Sequence, residues 1–250
     1  MDLREQGPGS RRHPWEVARA RSLEKILRLF LSDATDKNLL DIGCGDAFVL
    51  RTVQDSFGFR RADGVDVNLT ETQTHQFSRE RPDIRLWNNY SNLSQYDVVL
   101  MLDVVEHVKT DKEFIQGIAG RHLSNDGVLL ITVPAFQFLF STHDRYLGHY
   151  RRYTRHEIIT LVENDLEVLA GGYLFSTLLP IRLLTCMYEK LFQRNGVLKK
   201  GVGRWNGGHV ISGFAAWFIT FENSLLIALS RRNIYIPGLS VWIICKKRAS

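Results

Sequence analysis

The stretch Asn38–Leu50, NLLDIGCGDAFVL, joins a short apolar run to a turn that contains two glycines. The run from Leu39 to Ile42 has the character of a buried strand, and Gly43–Asp46 follows it as the turn. Beyond the turn, apolar residues recur at helical spacing until Gly58 ends the run. A strand, a glycine turn and a helix in this order predict the opening of a doubly wound α/β domain.

The glycine turn matches only part of the dinucleotide-binding fingerprint G-x-G-x-x-G. Gly43 and Gly45 occupy its first two glycine positions, but Phe48 occupies the third. A phenylalanine there would crowd a pyrophosphate and the close helix–strand packing that the motif needs, whereas a nucleoside without phosphate tolerates it. Asp66 ends the next strand-like run, 21 residues after Gly45, where a ribose-binding carboxylate belongs.

Three successive motifs, D-I-G-C-G-D, G-V-D-V and Y-D-V-V-L-M-L-D-V-V-E-H-V, resemble those of class I S-adenosylmethionine-dependent methyltransferases. The resemblance runs from about Trp15 to about Gly172. It implies a Rossmann-like, doubly wound α/β fold with a mostly parallel seven-stranded sheet. It also implies S-adenosyl-L-methionine as cofactor and S-adenosyl-L-homocysteine as product.

The resemblance also implies where the cofactor contacts lie. The glycine turn passes under the methionine end, the next acid holds the ribose, and the ends of the third and fourth strands meet the adenine and the methyl group. By motif match these positions are Asp41, Gly43, Cys44 and Gly45, then Asp66 and Val67, then Asn88 and Asn89, then Leu102 and Asp103. An Asp is usual where Asn89 stands, although Asn can still accept a hydrogen bond from an exocyclic amine.

Composition limits the other function classes. Lys and Arg exceed Asp and Glu by 32 to 27, and the basic residues form scattered doublets rather than a face with interleaved aromatics, which argues against nucleic acid as a partner. The three cysteines form no C-x-x-C pair and therefore no metal set, and they suit a reducing compartment. Because the N-terminal stretch has no apolar core, we expect a cytoplasmic protein.

We divide the chain into four parts: a disordered tail at 1–12, a methyltransferase core at 13–172, an apolar helical insertion at 173–239, and a last core strand with a basic tail at 240–250. Within the core we expect a helix that begins at Pro14, and a turn at Asn125–Gly127 that precedes a fifth strand at Val128–Val133. A capping box should begin the helix after Thr154, and Gly171 and Gly172 should stop a sixth strand at Leu166–Leu169. The last strand is expected at Val241–Cys245.

The loop Phe136–Tyr153 carries the candidate acceptor chemistry. We predict His143 as the first candidate for a general base, because Asp144 could orient it, and His149 as the second. Arg151 and Arg152 suit an anionic group on the acceptor, and Tyr146 is placed with them. In the alternative, this loop folds a lid and its arginines pair with acids of the chain.

His107 is a further candidate base, at the end of the fourth strand. A role in organising that turn is the alternative, and we favour it. Trp15 belongs to a helix that either covers the cofactor or packs on the sheet.

The insertion contains two apolar segments, Tyr173–Phe192 and Gly213–Ser230, joined by the Gly- and Lys/Arg-rich link Asn195–Gly208. Spanning a bilayer is disfavoured, because the strands on either side must pair in one sheet and the first segment is too charged to cross. The insertion is therefore a cap over the site, an interfacial hairpin with basic doublets towards lipid headgroups, or a homodimer interface or extra core layer.

We conclude from the sequence that the chain methylates a small hydrophobic, lipid-like or glycan-linked acceptor, with oxygen favoured over nitrogen. One alternative is a non-catalytic cofactor-binding or scaffold protein. An NAD(P)-dependent oxidoreductase is disfavoured by Phe48, and a nucleic-acid amino-methyltransferase by the absence of Asn/Asp-Pro-Pro-aromatic at Leu102–Val105.

Overall fold

The structure, a computed structural model, describes residues 12–91, 93–192 and 207–248. The predicted tail at 1–12, except Arg12, and the link Asn195–Gly208, except its last two residues, lie outside this range.

Seven strands form one sheet, as the sequence predicted. They are β1 (Asn38–Ile42), β2 (Arg61–Val65), β3 (Ile84–Trp87), β4 (Tyr96–Leu102), β5 (Leu123–Pro134), β6 (Leu166–Leu174) and β7 (Ser240–Lys247). Their order is β3-β2-β1-β4-β5-β7-β6, and only β7 runs antiparallel to its neighbours. The strand order reverses between β1 and β4, so the crevice for a ligand opens at the carboxyl ends of these two strands.

Eight helices cover the two faces of the sheet within the described residues. They are α1 (Pro14–Arg28), α2 (Phe48–Phe57), α3 (Glu71–Glu80), α4 (Asp111–His122), α5 (Thr142–Leu147), α6 (Arg155–Val162), α7 (Leu178–Phe192) and α8 (His209–Ser230). Side chains of α1, α2 and α8 pack into the core on one face, and those of α4 and α6 into the core on the other. The predicted start of α1 at Pro14 and the capping box of Thr154 and Glu157 are both present.

Two boundaries differ from the prediction, both because a turn-like sequence lies inside a strand. Gly171 and Gly172 do not stop β6, which continues to Leu174; a Cβ on Gly171 would lie 2.8 Å from Ile243 Cγ2, so glycine is what allows β6 to pair closely with β7. The predicted turn at Asn125–Gly127 is a bulge inside β5, where the pairing with β4 shifts register. The two-helix insertion therefore begins after Leu174.

The insertion is built from α7 and α8. Helix α8 packs along α1 and β6, and its buried Asn223 donates to Ser22 Oγ at 2.9 Å and accepts from Phe175 N at 2.8 Å. Helix α7 contributes to the wall of the main cavity. Within the described residues, α8 is the helix that is long and apolar enough to cross a membrane by length and composition.

Candidate active site

A cavity of about 870 Å³ opens at the carboxyl ends of β1, β2 and β4. Its floor includes Gly43, Asp66 and Asp103, which follow these three strands. Its roof comes from α1, from the loop that contains α5, and from α7. The position agrees with the rule that ligands of open parallel sheets bind where the strand order reverses.

The glycine turn and Asp66 form one hydrogen-bonded unit. Gly43 N donates to Val65 O at 2.7 Å, and Gly45 N donates to Asp66 Oδ2 at 3.0 Å. Gly43 has φ +70°, and a Cβ there would meet Val104 Cγ2 at 2.5 Å, so only glycine fits this turn. Asp66 is thereby held at the cavity wall with a fixed carboxylate.

Asp41 lies behind the turn with an unusual environment for a carboxyl group. It is 2% exposed, and its Oδ1 has no hydrogen-bond partner among the described residues. Burial raises the pKa of Asp41 to about 7, with Arg19 opposing the shift and Asp66 adding to it. A cationic group next to Asp41 would satisfy the oxygen and restore its charge.

Helix α1 supplies a cation to the same floor. Arg19 forms an ion pair with Asp103 Oδ2 at 2.7 Å and donates to Thr132 Oγ1 at 3.1 Å. Thr132 in turn donates to Asp103 Oδ1 at 3.0 Å. Trp15 of the same helix lines the cavity and meets Phe175 edge-on at 6.5 Å between ring centroids. Trp15 therefore both lines the cavity and packs against the core.

The ten residues assigned to the cofactor fall into three groups. Those that line the cavity are Gly43, Asp66, Val67, Leu102 and Asp103. Asp41, Cys44 and Gly45 lie outside the lining, and Gly45 is bonded to Asp66. Asn88 and Asn89 do not line it either: the Asn89 amide donates to Asn88 and its Oδ1 accepts from Ser91 N, while the neighbouring Tyr90 reaches the cavity.

These groups fit S-adenosylmethionine. Ribose hydroxyls suit the Asp66 carboxylate, and the ligand's carboxylate suits Arg19, because both residues line the cavity. None of these contacts calls for a phosphate, in agreement with Phe48 at the third fingerprint position.

Comparisons with known proteins agree with a site for S-adenosylmethionine. Residues 15–170 match the family described as methyltransferase domain, and the chain belongs to that family. Curated relatives include the ubiquinone biosynthesis O-methyltransferases of Rickettsia typhi, 28% identical over 118 residues, and Rickettsia felis, 26% identical over 114. Each match covers 44% of this chain and 46% of the relative, so the matched region is under half the relatives' length.

Solved structures show the same fold. Coclaurine N-methyltransferase bound to N-methylheliamine and S-adenosylhomocysteine has a TM-score of 0.56 and 16% identity, over 93% of this chain and 71% of that one. The plantazolicin methyltransferase BpumL in complex with a monoazolic desmethylPZN analogue and S-adenosylhomocysteine has a TM-score of 0.53 and 14% identity, over 94% of this chain and 85% of that one. The chain therefore has the fold of methyltransferases that were solved with S-adenosylhomocysteine bound.

Asp144 is the centre of the acceptor side. It is fully buried, accepts from His149 Nδ1 at 2.9 Å, and pairs with Arg152 Nε at 2.7 Å. Burial alone would raise the pKa of Asp144, but the hydrogen bonds and charge of His149 and Arg152 hold it well below its usual range. Asp144 is therefore an ionised carboxylate that fixes the His149 ring.

The contacts of Asp144 bear on the choice between the two candidate bases. Asp144 accepts a hydrogen bond from His149 Nδ1 at 2.9 Å, whereas the sequence prediction had Asp144 orient His143. Both histidines line the cavity. Burial lowers the pKa of His143, and the positive charge of Arg182 lowers it further. Because Asp144 holds the tautomer and orientation of the His149 ring, we prefer His149 as the candidate base.

The other predicted acceptor residues have structural partners. Arg151 donates to Asp111 Oδ2 at 2.9 Å and to Lys109 O at 2.8 Å, and it does not line the cavity. Arg152 is committed to Asp144 and to Ala135 O. The structure thus has the alternative arrangement, in which both arginines pair within the chain. Tyr146 is half-buried and outside the cavity lining.

Glu106 is the main group that sequence reasoning missed. It is fully buried in the cavity wall, and neither carboxylate oxygen has a partner among the described residues. Burial raises the pKa of Glu106 well above its usual value, and Asp103 adds to the shift. Ligand atoms of Glu106, His107 and His149 lie within 4.8 Å of one another, so these three could hold a metal ion, although the sequence predicted none.

Helix α7 adds a second set of residues that sequence reasoning did not assign. Leu178, Arg182 and Glu189 line the cavity from one face of the helix. Arg182 donates to Ser141 Oγ at 2.5 Å, and Glu189 accepts from Thr142 Oγ1 at 3.1 Å. Their spacing of four and seven residues was visible in the sequence, but their partners lie about 40 residues away.

Proposed function

We propose that this methyltransferase acts on a hydroxyl oxygen of a small hydrophobic acceptor, with His149 as the general base. The observation that carries the proposal is the 2.9 Å hydrogen bond between His149 Nδ1 and a buried, ionised Asp144 at the wall of the cofactor cavity. A neutral amine can accept the methyl group without a general base such as the His149–Asp144 pair, whereas a hydroxyl must lose its proton to a base.

The bound cofactor supplies a methyl group on a cationic sulfonium. The chain has to align the acceptor and remove its proton. With Nδ1–H donated to Asp144, Nε2 of His149 presents the lone pair that accepts the hydroxyl proton. The Asp144 carboxylate then stabilises the imidazolium, and Arg152 keeps that carboxylate ionised and in place.

The lining supports a hydrophobic acceptor. Large apolar side chains surround the polar cluster on the acceptor side: Trp15, Phe114, Leu147, Phe175, Leu178 and Leu239. Such a lining binds an apolar body, while a few polar groups fix its orientation. The two curated relatives are named O-methyltransferases, which supports oxygen as the methylated atom.

The test compares His149→Gln with the matched control His156→Gln, since His156 is an exposed histidine on α6. Matched hydrophobic hydroxyl and amine compounds are offered, and S-adenosylhomocysteine formation is measured. We expect methylation of a hydroxyl compound, a fall of about 100-fold or more in turnover for His149→Gln, unchanged cofactor affinity, and no effect of the control. Wild-type turnover in His149→Gln, or methylation of amines alone, would contradict the proposal.

A further inference from the structure

The outward face of α8 is apolar along most of the helix. Its exposed large side chains are Val210, Ile211, Phe214, Trp217, Phe218, Phe221 and Leu225. They amount to on the order of 800 Å², above the ~300–600 Å² of the largest apolar patch on a typical monomer. A surface helix of a globular protein normally carries polar residues on this side. We therefore expect another apolar surface to cover this face of α8.

The hydroxyl groups and the acid in the middle of α8 are bonded to internal partners. Thr220 Oγ1 donates to Ala216 O at 2.6 Å, and Ser224 Oγ donates to Thr220 O at 2.8 Å, one helical turn back in each case. Glu222, the only acid of the helix, accepts from Thr177 N at 2.6 Å and from its hydroxyl at 2.8 Å. These hydroxyls and this carboxylate are therefore not available to a partner, and the polar group that the large side chains of the outward face carry is the indole N–H of Trp217.

This property favours lipid over protein. Protein interfaces carry about one hydrogen bond per 100–200 Å², whereas a hydrocarbon phase requires that every polar group be satisfied internally. The Thr220 and Ser224 hydroxyls, bonded to the backbone of their own helix, meet the second requirement, and the Trp217 indole N–H suits the polar boundary of a bilayer. Its aromatic residues Phe214, Trp217, Phe218 and Phe221 also suit the boundary between headgroups and acyl chains.

Helix α7 repeats the pattern. Ile181, Leu184, Tyr188 and Leu191 are exposed at spacings of three, seven and ten residues, on the side away from the cavity-lining residues of the same helix. The helix that roofs the site is therefore apolar on its outer surface as well.

The exposed charged side chains at the C-terminal ends of α7 and α8 are positive. Arg231 and Arg232 follow α8 and are exposed, and Lys190 near the end of α7 is exposed while its Nζ donates to Phe138 O at 2.9 Å. The acids of both helices, Glu189 and Glu222, are hydrogen-bonded to threonines. Exposed cations beside an apolar face fit anionic headgroups.

Helix α8 would lie on the membrane instead of crossing it. From Ala216 to Ser230 its inner face is buried against the domain, and Asn223 is bonded to Ser22 of α1. Moving this segment into a bilayer would strip a buried polar contact and expose the apolar faces of α1 and β6.

We propose that the outward faces of α7 and α8 dock the enzyme on the surface of a lipid bilayer, independently of which acceptor it methylates. The test is flotation of the full chain with vesicles of phosphatidylcholine alone and of phosphatidylcholine mixed with phosphatidylglycerol. We expect binding to both, several-fold tighter with the anionic lipid. The triple variant Phe214→Ser, Trp217→Ser, Phe221→Ser should bind at least tenfold more weakly.

The matched control is the triple variant Leu29→Ser, Ile234→Ser, Ile236→Ser, which removes exposed apolar side chains outside the two helices. It should bind vesicles like the wild type, and both variants should keep wild-type cofactor affinity and circular dichroism. Failure of the wild type to float with either vesicle would overturn the proposal. So would a wild-type dimer, seen by light scattering, that the α8 variant converts to monomers, because the face would then bind a second copy.

Discussion

Replacing Asp41 by Asn tests whether its carboxyl is kept buried and unpaired in the folded chain. The pKa of Asp41 rises from 3.8 to about 7 on folding, because burial disfavours the charged form. Three pH units at ~1.4 kcal/mol each amount to about 4 kcal/mol. By this amount the free energy of unfolding is lowered at a pH where the Asp41 carboxyl is ionised in both the folded and the unfolded state.

The direction follows from proton binding. Below about pH 4 the carboxyl is protonated in both states and has no effect, and above about pH 7 the full penalty applies. Between these limits the folded state holds the proton that the unfolded state has lost, so stability falls as pH rises. Asn at position 41 is neutral throughout and should abolish this component.

The assay is urea unfolding of wild type and Asp41→Asn at several pH values from 5 to 8. As pH rises from 5 to 8, the difference in free energy of unfolding between Asp41→Asn and the wild type should grow by about 2.5 kcal/mol in favour of the variant. The difference between the two proteins cancels the titration of all other groups. Parallel pH profiles would refute the assignment of an unpaired, raised-pKa carboxyl at this position.

Two further changes test the roof and the sheet. Arg182→Gln removes the guanidinium that joins α7 to Ser141 and Asp144, so the KM for the acceptor should rise while cofactor affinity stays unchanged. Because Arg182 lowers the pKa of His143, that pKa should move upward in an NMR titration of the variant. An unchanged His143 titration would refute the contact. Gly171→Ala should lower the free energy of unfolding by about 1–3 kcal/mol, because its Cβ would meet Ile243 and Trp242 O below 3 Å, whereas Gly213→Ala, with nothing within 4 Å, should cost nothing.

The sequence predicted those parts of the fold that depend on neighbouring residues. The turn Gly43–Asp46 and the acid Asp66 were found because strand, turn and acid follow each other along the chain. Gly171 and Gly172 were misread, because two adjacent glycines usually end an element, whereas here they let β6 approach β7. Turn propensity alone could not show that the opposing strand needs the space.

The site was predicted less well where it depends on distant pairs. His143 and His149 were both candidates, but only the fold shows that Asp144 bonds to His149, five residues on. Arg19 reaches Asp103 across 84 positions, and its residue type alone gave no signal for this pairing. Glu106 was visible beside His107, but nothing in the sequence showed that its carboxyl is buried without a partner.

Titration calorimetry of S-adenosylmethionine into the wild type and Asp66→Ala tests the central claim most directly, with Asp126→Ala as a control for an exposed carboxylate. We predict one molecule bound per chain, undiminished binding by the control, and loss of binding in Asp66→Ala while its circular dichroism remains that of the wild type. Equal affinity of Asp66→Ala and wild type, or uptake of a nicotinamide dinucleotide in place of S-adenosylmethionine, would contradict the account.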